Sequence, residues 1–110
     1  METGLNLKLK KALAEMLFLS ILEEQARPIL EVTKLLNERS NGVCNMQFPY
    51  AIIYRMTENG YIEEKGSDLS ENRKRTFYIV TDAGKEYLNE LKKEYADFID
   101  AVDKILSQQG

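Results

Sequence analysis

Arg73, Lys74 and Arg75 stand side by side in a chain of 110 residues whose net charge is −3. Adjacent cations repel one another, and a polyanionic neighbour relieves that repulsion. A second set of polar groups lies upstream, at Gln47, Tyr50 and Tyr54. A carboxamide pairs in two-pronged fashion with adenine, and phenol hydroxyls donate to phosphates or stack on sugars. Tyr50 and Tyr54 are spaced to share one side of a helix. Lys65 would join the basic run from across a hairpin. Each set has a plainer role as well: a charge run is a solvated surface, and surface tyrosines pack against their own domain. Lys8, Lys10 and Lys11 either reach flanking phosphates or solvate the N-terminus. Arg55 either meets phosphate or, the preferred reading, ties its helix to Glu58 or Glu63.

Other chemistries find little support. There is no histidine and Cys44 is the single cysteine, which leaves no internal disulfide, none of the usual zinc sites and no histidine-based triad. No nucleophile–base pair can be named, so an enzyme is not expected and neither is a cofactor. Cys44 reads as a small packed side chain rather than a redox sensor. The longest apolar run, Met16 to Leu22, is too short to span a bilayer and is broken by Ser20. With no export signal legible, a cytoplasmic protein without a membrane partner is expected. The charge is unevenly divided. Residues 1–81 carry 11 acidic and 11 basic side chains, so the excess of seven acids over four bases in residues 82–110 accounts for the whole net charge.

The elements that must position these residues follow from spacing. Leu7 to Glu24 has a broad apolar face at helical intervals. Arg27-Pro28 punctuates the chain, proline being tolerated in a first helical turn. Ile29, Val32, Leu35 and Leu36 continue at helical spacing to Arg39, and Ser40-Asn41-Gly42 is a stop with Gly42 suited to a left-handed conformation. A third helix is predicted from about Asn45, its N-cap, to Asn59. Phe48, Ile52, Ile53 and Met56 face inward, opposite Gln47, Tyr50, Ala51 and Tyr54. Tyr61 to Lys65 and Arg75 to Val80 read as two strands joined by a polar loop from Gly66 to Asn72. Helices followed by a hairpin give the winged-helix order.

Thr81 can cap a last helix that opens on Asp82, favourable at the positive end of its dipole. Leu88, Leu91, Tyr95, Phe98, Val102 and Ile105 then recur at alternating steps of three and four, the seam of a coiled coil. Such a helix, about 37 Å long at 1.5 Å per residue, overshoots so small a domain. A second copy of the chain is the simplest cover for its far half, although part of the seam packs on the first helix. The expected class is therefore mainly α with a small β-hairpin, a winged helix-turn-helix plus a long C-terminal dimerisation helix. Residues 1–81 form the head and 82–110 the dimerisation helix, in one compact unit.

Two stretches carry a resemblance. Tyr50-Ala51-Ile52-Ile53-Tyr54-Arg55-Met56-Thr57-Glu58-Asn59-Gly60-Tyr61-Ile62 and Arg73-Lys74-Arg75-Thr76-Phe77-Tyr78-Ile79-Val80-Thr81-Asp82-Ala83-Gly84 are similar to the PadR-like family of bacterial transcriptional regulators, in particular its smaller members. The chain departs from that pattern at Ile29-Leu30-Glu31, at Phe48-Pro49 and at Ala51. The resemblance implies a sequence-specific double-stranded DNA binder, a homodimeric repressor on a palindromic operator. Its contact residues would be Gln47, Tyr50, Tyr54, Lys65, Arg73, Lys74 and Arg75. Tyr95 falls where relatives often place an aromatic near the dimer centre. Tyr95 and Phe98 with the first helix are thus candidates to wall a pocket for a small aromatic or hydrophobic effector, or equally to be filled core. The near-neutral head leaves one rival open, a winged helix used as a protein-interaction or assembly module.

Overall fold

The structure, a computed structural model, describes residues 3–47, 49–70 and 72–108, with the side chain of Ser70 left aside. The order is α1 (Leu5–Glu24), β1 (Arg27–Pro28), α2 (Ile29–Arg39), α3 (Tyr50–Glu58), β2 (Ile62–Ser70), β3 (Arg73–Val80) and α4 (Asp82–Ser107). The strands form one antiparallel sheet in the order β1-β3-β2. The expected hairpin is therefore a three-stranded wing. Its extra strand is the Arg27–Pro28 pair, opposite Tyr78 and Phe77. Two residues are too few to show alternation, so β1 left no periodic trace. Pro28 lies just outside α2 as its N-cap, in extended backbone at φ −72° and ψ 156°.

Phe18, Leu19, Leu22, Val32, Leu36, Ile53, Met56, Ile62, Val80 and Leu88 form one core shared by every helix and by β2 and β3. Burying each large side chain is worth about 1.5–3 kcal/mol, which selects the faces that the helices turn inward. α2 stops as its sequence dictates, with Gly42 at φ +86° and its N–H donating to the Asn37 carbonyl over 2.8 Å.

The third helix is shorter than its periodicity suggests. It begins at Tyr50, with Pro49 as its N-cap and the Pro49 carbonyl accepting from Ile53 N–H at 3.1 Å. Proline has no N–H to place inside a helix, so this start costs nothing. Asn45 is not the cap. Its side chain accepts from Lys10 Nζ at 2.7 Å, tying the turn before α3 to α1. Phe48, assigned to the inward face, lies outside the described residues.

The wing strands are longer than expected, pairing out to Ser70 opposite Arg73. Gly66-Ser67-Asp68 has loop composition, but cross-strand partners hold it extended. Ser67 faces Thr76, and Asp68 faces Arg75 and grips it. A bulge between Glu64 and Gly66 absorbs the one irregularity, with Gly66 at φ +147° where a side chain would be strained.

α4 opens as its sequence requires, the Gly84 N–H donating to Thr81 Oγ1 at 3.0 Å. Its root is bolted to the turn after α3. Thr81 N–H donates to the Tyr61 carbonyl at 3.0 Å, and Thr81 Oγ1 donates to the Gly60 carbonyl at 2.6 Å. Gly84 lies so close that a Cβ there would sit 2.0 Å from the Tyr61 carbonyl oxygen. The Tyr61 and Tyr87 rings stack at 4.1 Å, and Tyr87 Oη donates to Glu15 Oε1 at 2.8 Å. One joint thus links α1, the wing root and α4.

Candidate nucleic-acid interface

α3 sits on the core through Ile53 and Met56, and this fixes what it presents outward. Tyr50 and Tyr54 project one turn apart with 64% and 67% of their surface exposed. Gln47 is exposed too, but it precedes the helix rather than riding on it.

On the wing, strand geometry separates the three consecutive cations. Successive side chains point to opposite faces, so Lys74 shares a face with Thr76 and Tyr78 while Arg73 and Arg75 share the other with Phe77. Lys74 comes together with Tyr50, Leu30, Thr76 and Tyr78 around a groove of about 240 Å³ between α2, the start of α3 and the wing. Burial first, then the nearby Glu64 and Tyr50, push the Tyr78 phenol up, so it stays protonated and able to donate.

Arg75 borders the same groove, yet its guanidinium is committed. Nε and Nη2 donate to the two Asp68 carboxylate oxygens, each at 2.9 Å, and the group lies 5.4 Å from the centre of the Phe77 ring. The hydrogen bond from Arg75 holds the Asp68 carboxyl below the usual carboxylate range, and the same bond holds Arg75 above its own. Arg75 stiffens the wing before it can meet any phosphate. Arg73 and Lys74 make no ion pair among the described residues. Lys65 is exposed at the bulge.

The preferred role of Arg55 does not hold. Among the described residues it makes no ion pair, with Glu58 and Glu63 included. One helical turn after Ala51 and Ile52, it borders a second cavity beside α1 instead, together with Gln47, Lys10 and Lys11. The structure therefore divides the expected contact residues. Tyr50, Lys74 and Arg75 meet at one groove, whereas Gln47 belongs to another. Leu30, Thr76 and Tyr78 went unread in the sequence, though the two-residue period of β3 would have placed Thr76 and Tyr78 beside Lys74.

Tyr95 and Phe98 border neither of these two cavities. They lie on the far half of α4 with Ile99, Ile105 and Leu106, all exposed. No helix among the described residues is long and apolar enough to cross a membrane.

Three helices, a wing and an outward-facing third helix define a winged helix-turn-helix protein. The profile of the transcriptional regulator PadR-like family matches residues 18–90, and the chain belongs to that family. It is therefore a DNA-binding transcriptional regulator and not an enzyme. An uncharacterised protein of Lysinibacillus sphaericus is 30% identical over 89 residues, 79% of this chain and 82% of that one. A PadR family regulator of Eggerthella lenta superposes with a TM-score of 0.82 at 23% identity, over 94% of this chain and 90% of that one. A PadR-like regulator of Bacillus cereus gives 0.76 at 25% identity, over 90% and 96% of the respective chains.

Proposed function

We propose that the chain is a homodimeric, cytoplasmic repressor that binds a palindromic operator, released by a small aromatic or hydrophobic effector held between subunits near Tyr95 and Phe98. The observation that carries the DNA surface is the groove joining Tyr50 of α3 to Lys74 of the wing. In a winged helix the third helix enters the major groove and the wing follows the backbone, so a phosphate between the two elements would meet a phenol, a hydroxyl and an ammonium group. Gln47 then reaches toward a base edge and Tyr54 toward a phosphate or sugar, while Arg73 and Lys65 meet phosphates further along. Arg75 contributes chiefly by holding the wing.

Residues 82–110 supply the dimer. The exposed apolar stripe on α4 supports this, because a second copy would cover it by two-fold symmetry. Two reading heads would then lie roughly 34 Å apart, one turn of B-DNA.

The test is binding to the DNA upstream of the chain's own gene against a scrambled duplex, across a salt series. It is followed by selection from random duplexes. Expected are sequence-dependent binding that weakens steeply with salt, and a palindromic consensus. Lys74→Ala should reduce the salt slope by about 1. Equal, weak affinity for every duplex with no consensus after selection would sink the repressor reading.

A further inference from the structure

The Arg75 side chain is 42% exposed, so burial does not keep it from a phosphate. What keeps it is Asp68. Both carboxylate oxygens accept from the guanidinium at 2.9 Å, which fills the two-pronged geometry that a phosphate would use. The Phe77 ring lies beside the same group, and the charge of Glu31, on the first turn of α2, attracts it as well.

The backbone chooses this pair. Ile62 to Glu64 face Val80 to Tyr78, and a regular ladder continued at that register would bring Asp68 opposite Lys74. The bulge puts one extra residue into β2, so Asp68 falls opposite Arg75 instead. One residue thus decides which of two adjacent cations is clasped and which stands at the groove beside Tyr50.

We propose that Asp68 determines the selectivity of this regulator by occupying the phosphate-binding face of Arg75, so that the wing attracts DNA through Lys74 and Arg73 but not through Arg75. Binding to random DNA is almost wholly electrostatic and grows with every cation on offer. Binding to an operator depends in addition on a wing of fixed shape, which the same clasp supplies. Breaking the clasp adds a charge and removes stiffness, so random DNA gains more than the operator does. Asp68 itself touches no DNA; it is a positioning residue that acts through Arg75. The inference rests on the wing following the DNA backbone, as proposed in the preceding section.

The test is the salt dependence of binding to a scrambled duplex, with the fold of each variant checked by circular dichroism. Lys74→Ala should lower the salt slope by about 1, whereas Arg75→Ala beside it should leave the slope unchanged, because Arg75 holds no phosphate to lose. Asp68→Asn removes the charge at nearly constant shape. It should steepen the slope by about 1 and tighten binding to the scrambled duplex roughly fivefold. Adding Arg75→Ala to Asp68→Asn should cancel the steeper slope, and Asp68→Glu should behave as the wild type. Glu63→Gln takes the same charge from the same strand without touching the clasp, and should leave the slope alone. On the palindromic duplex that selection yields, Asp68→Asn should gain less, so that preference over the scrambled duplex falls roughly threefold.

A slope lowered by Arg75→Ala would place Arg75 on a phosphate already and overturn the proposal. So would a wild-type slope in Asp68→Asn when Lys74→Ala lowers its own. If neither Lys74→Ala nor Asp68→Asn moved the slope, the wing would not lie on DNA, and the surface proposed in the preceding section would fall together with this role of Asp68. Equal gains on both duplexes would overturn the claim on selectivity. The scrambled series needs no operator, so a selection without a consensus leaves it decisive.

Discussion

α4 divides into two halves that obey one sequence pattern and meet opposite environments. From Asp82 to Leu91 the helix is built into the head, with Leu88 fully buried, Gly84 against the Tyr61 carbonyl and Tyr87 stacked on Tyr61. From Lys92 to Ser107 it leaves the head, and Phe98 is 70% exposed. The molecule is drawn out to 58 Å along its longest axis. Periodicity reports which face of a helix is apolar and says nothing about what covers that face. The near half is covered by the chain's own core, and the far half stands exposed. Substitutions in the two halves should therefore fail in different ways.

The largest effect is expected at Gly84→Ala. The new Cβ would collide with backbone, which cannot rotate aside, so a loss of about 3 kcal/mol or more is expected in urea unfolding. A normal midpoint would show that the joint yields. Leu88→Ala should follow, costing about 2–5 kcal/mol by emptying a fully enclosed site, at any protein concentration. Phe98→Ser sharpens the contrast. The dissociation constant of the proposed dimer should rise roughly thirtyfold, about 2 kcal/mol in sedimentation, while the monomer keeps its stability. An unchanged dissociation constant would remove Phe98 from the interface.

The smallest effect concerns pH. Burial first, then the bond to Glu15, push the Tyr87 phenol from its ordinary value near 10 to about 12. The folded state therefore holds this proton more tightly than the unfolded state. Stability from this source is complete below pH of about 10 and is lost as pH rises from there toward about 12. Tyr87→Phe should flatten that decline in thermal melts, and an identical alkaline decline in the variant would assign it to other groups.

Much of this was legible where one residue type answers one physical need. Thr81 capping Gly84, Gly42 closing α2 and Asp82 opening α4 are local solutions, readable without knowing the rest of the chain. The apolar faces of α2 and α4 were legible for the same reason, whereas on α1 the buried side runs through Ala14, Phe18, Leu19, Ile21 and Leu22 and leaves Leu9 exposed. What escaped notice depends on partners distant in sequence. Gly66-Ser67-Asp68 has the composition of a loop and becomes strand only because Thr76 and Arg75 lie opposite. Asn45 has the chemistry of a cap, but Lys10 claims it from 35 residues away. The basic run was visible as charge, yet its division between two faces needed the strand to be seen through Arg73, two residues before its expected start. Asp68 then took Arg75 out of the free supply.

The joint at Gly60, Tyr61, Thr81 and Gly84 has a mechanical consequence. A helix fixed at its root transmits angle as displacement, and 26 residues at 1.5 Å each give a rod of about 39 Å. A tilt of about 5° at the root would carry the far end through roughly 3.4 Å, the rise of one base pair. If the far ends are clasped in a dimer, the same tilt moves the reading heads instead. The spacing of DNA half-sites that the protein accepts would then be set by how closely a glycine lets one helix approach one carbonyl.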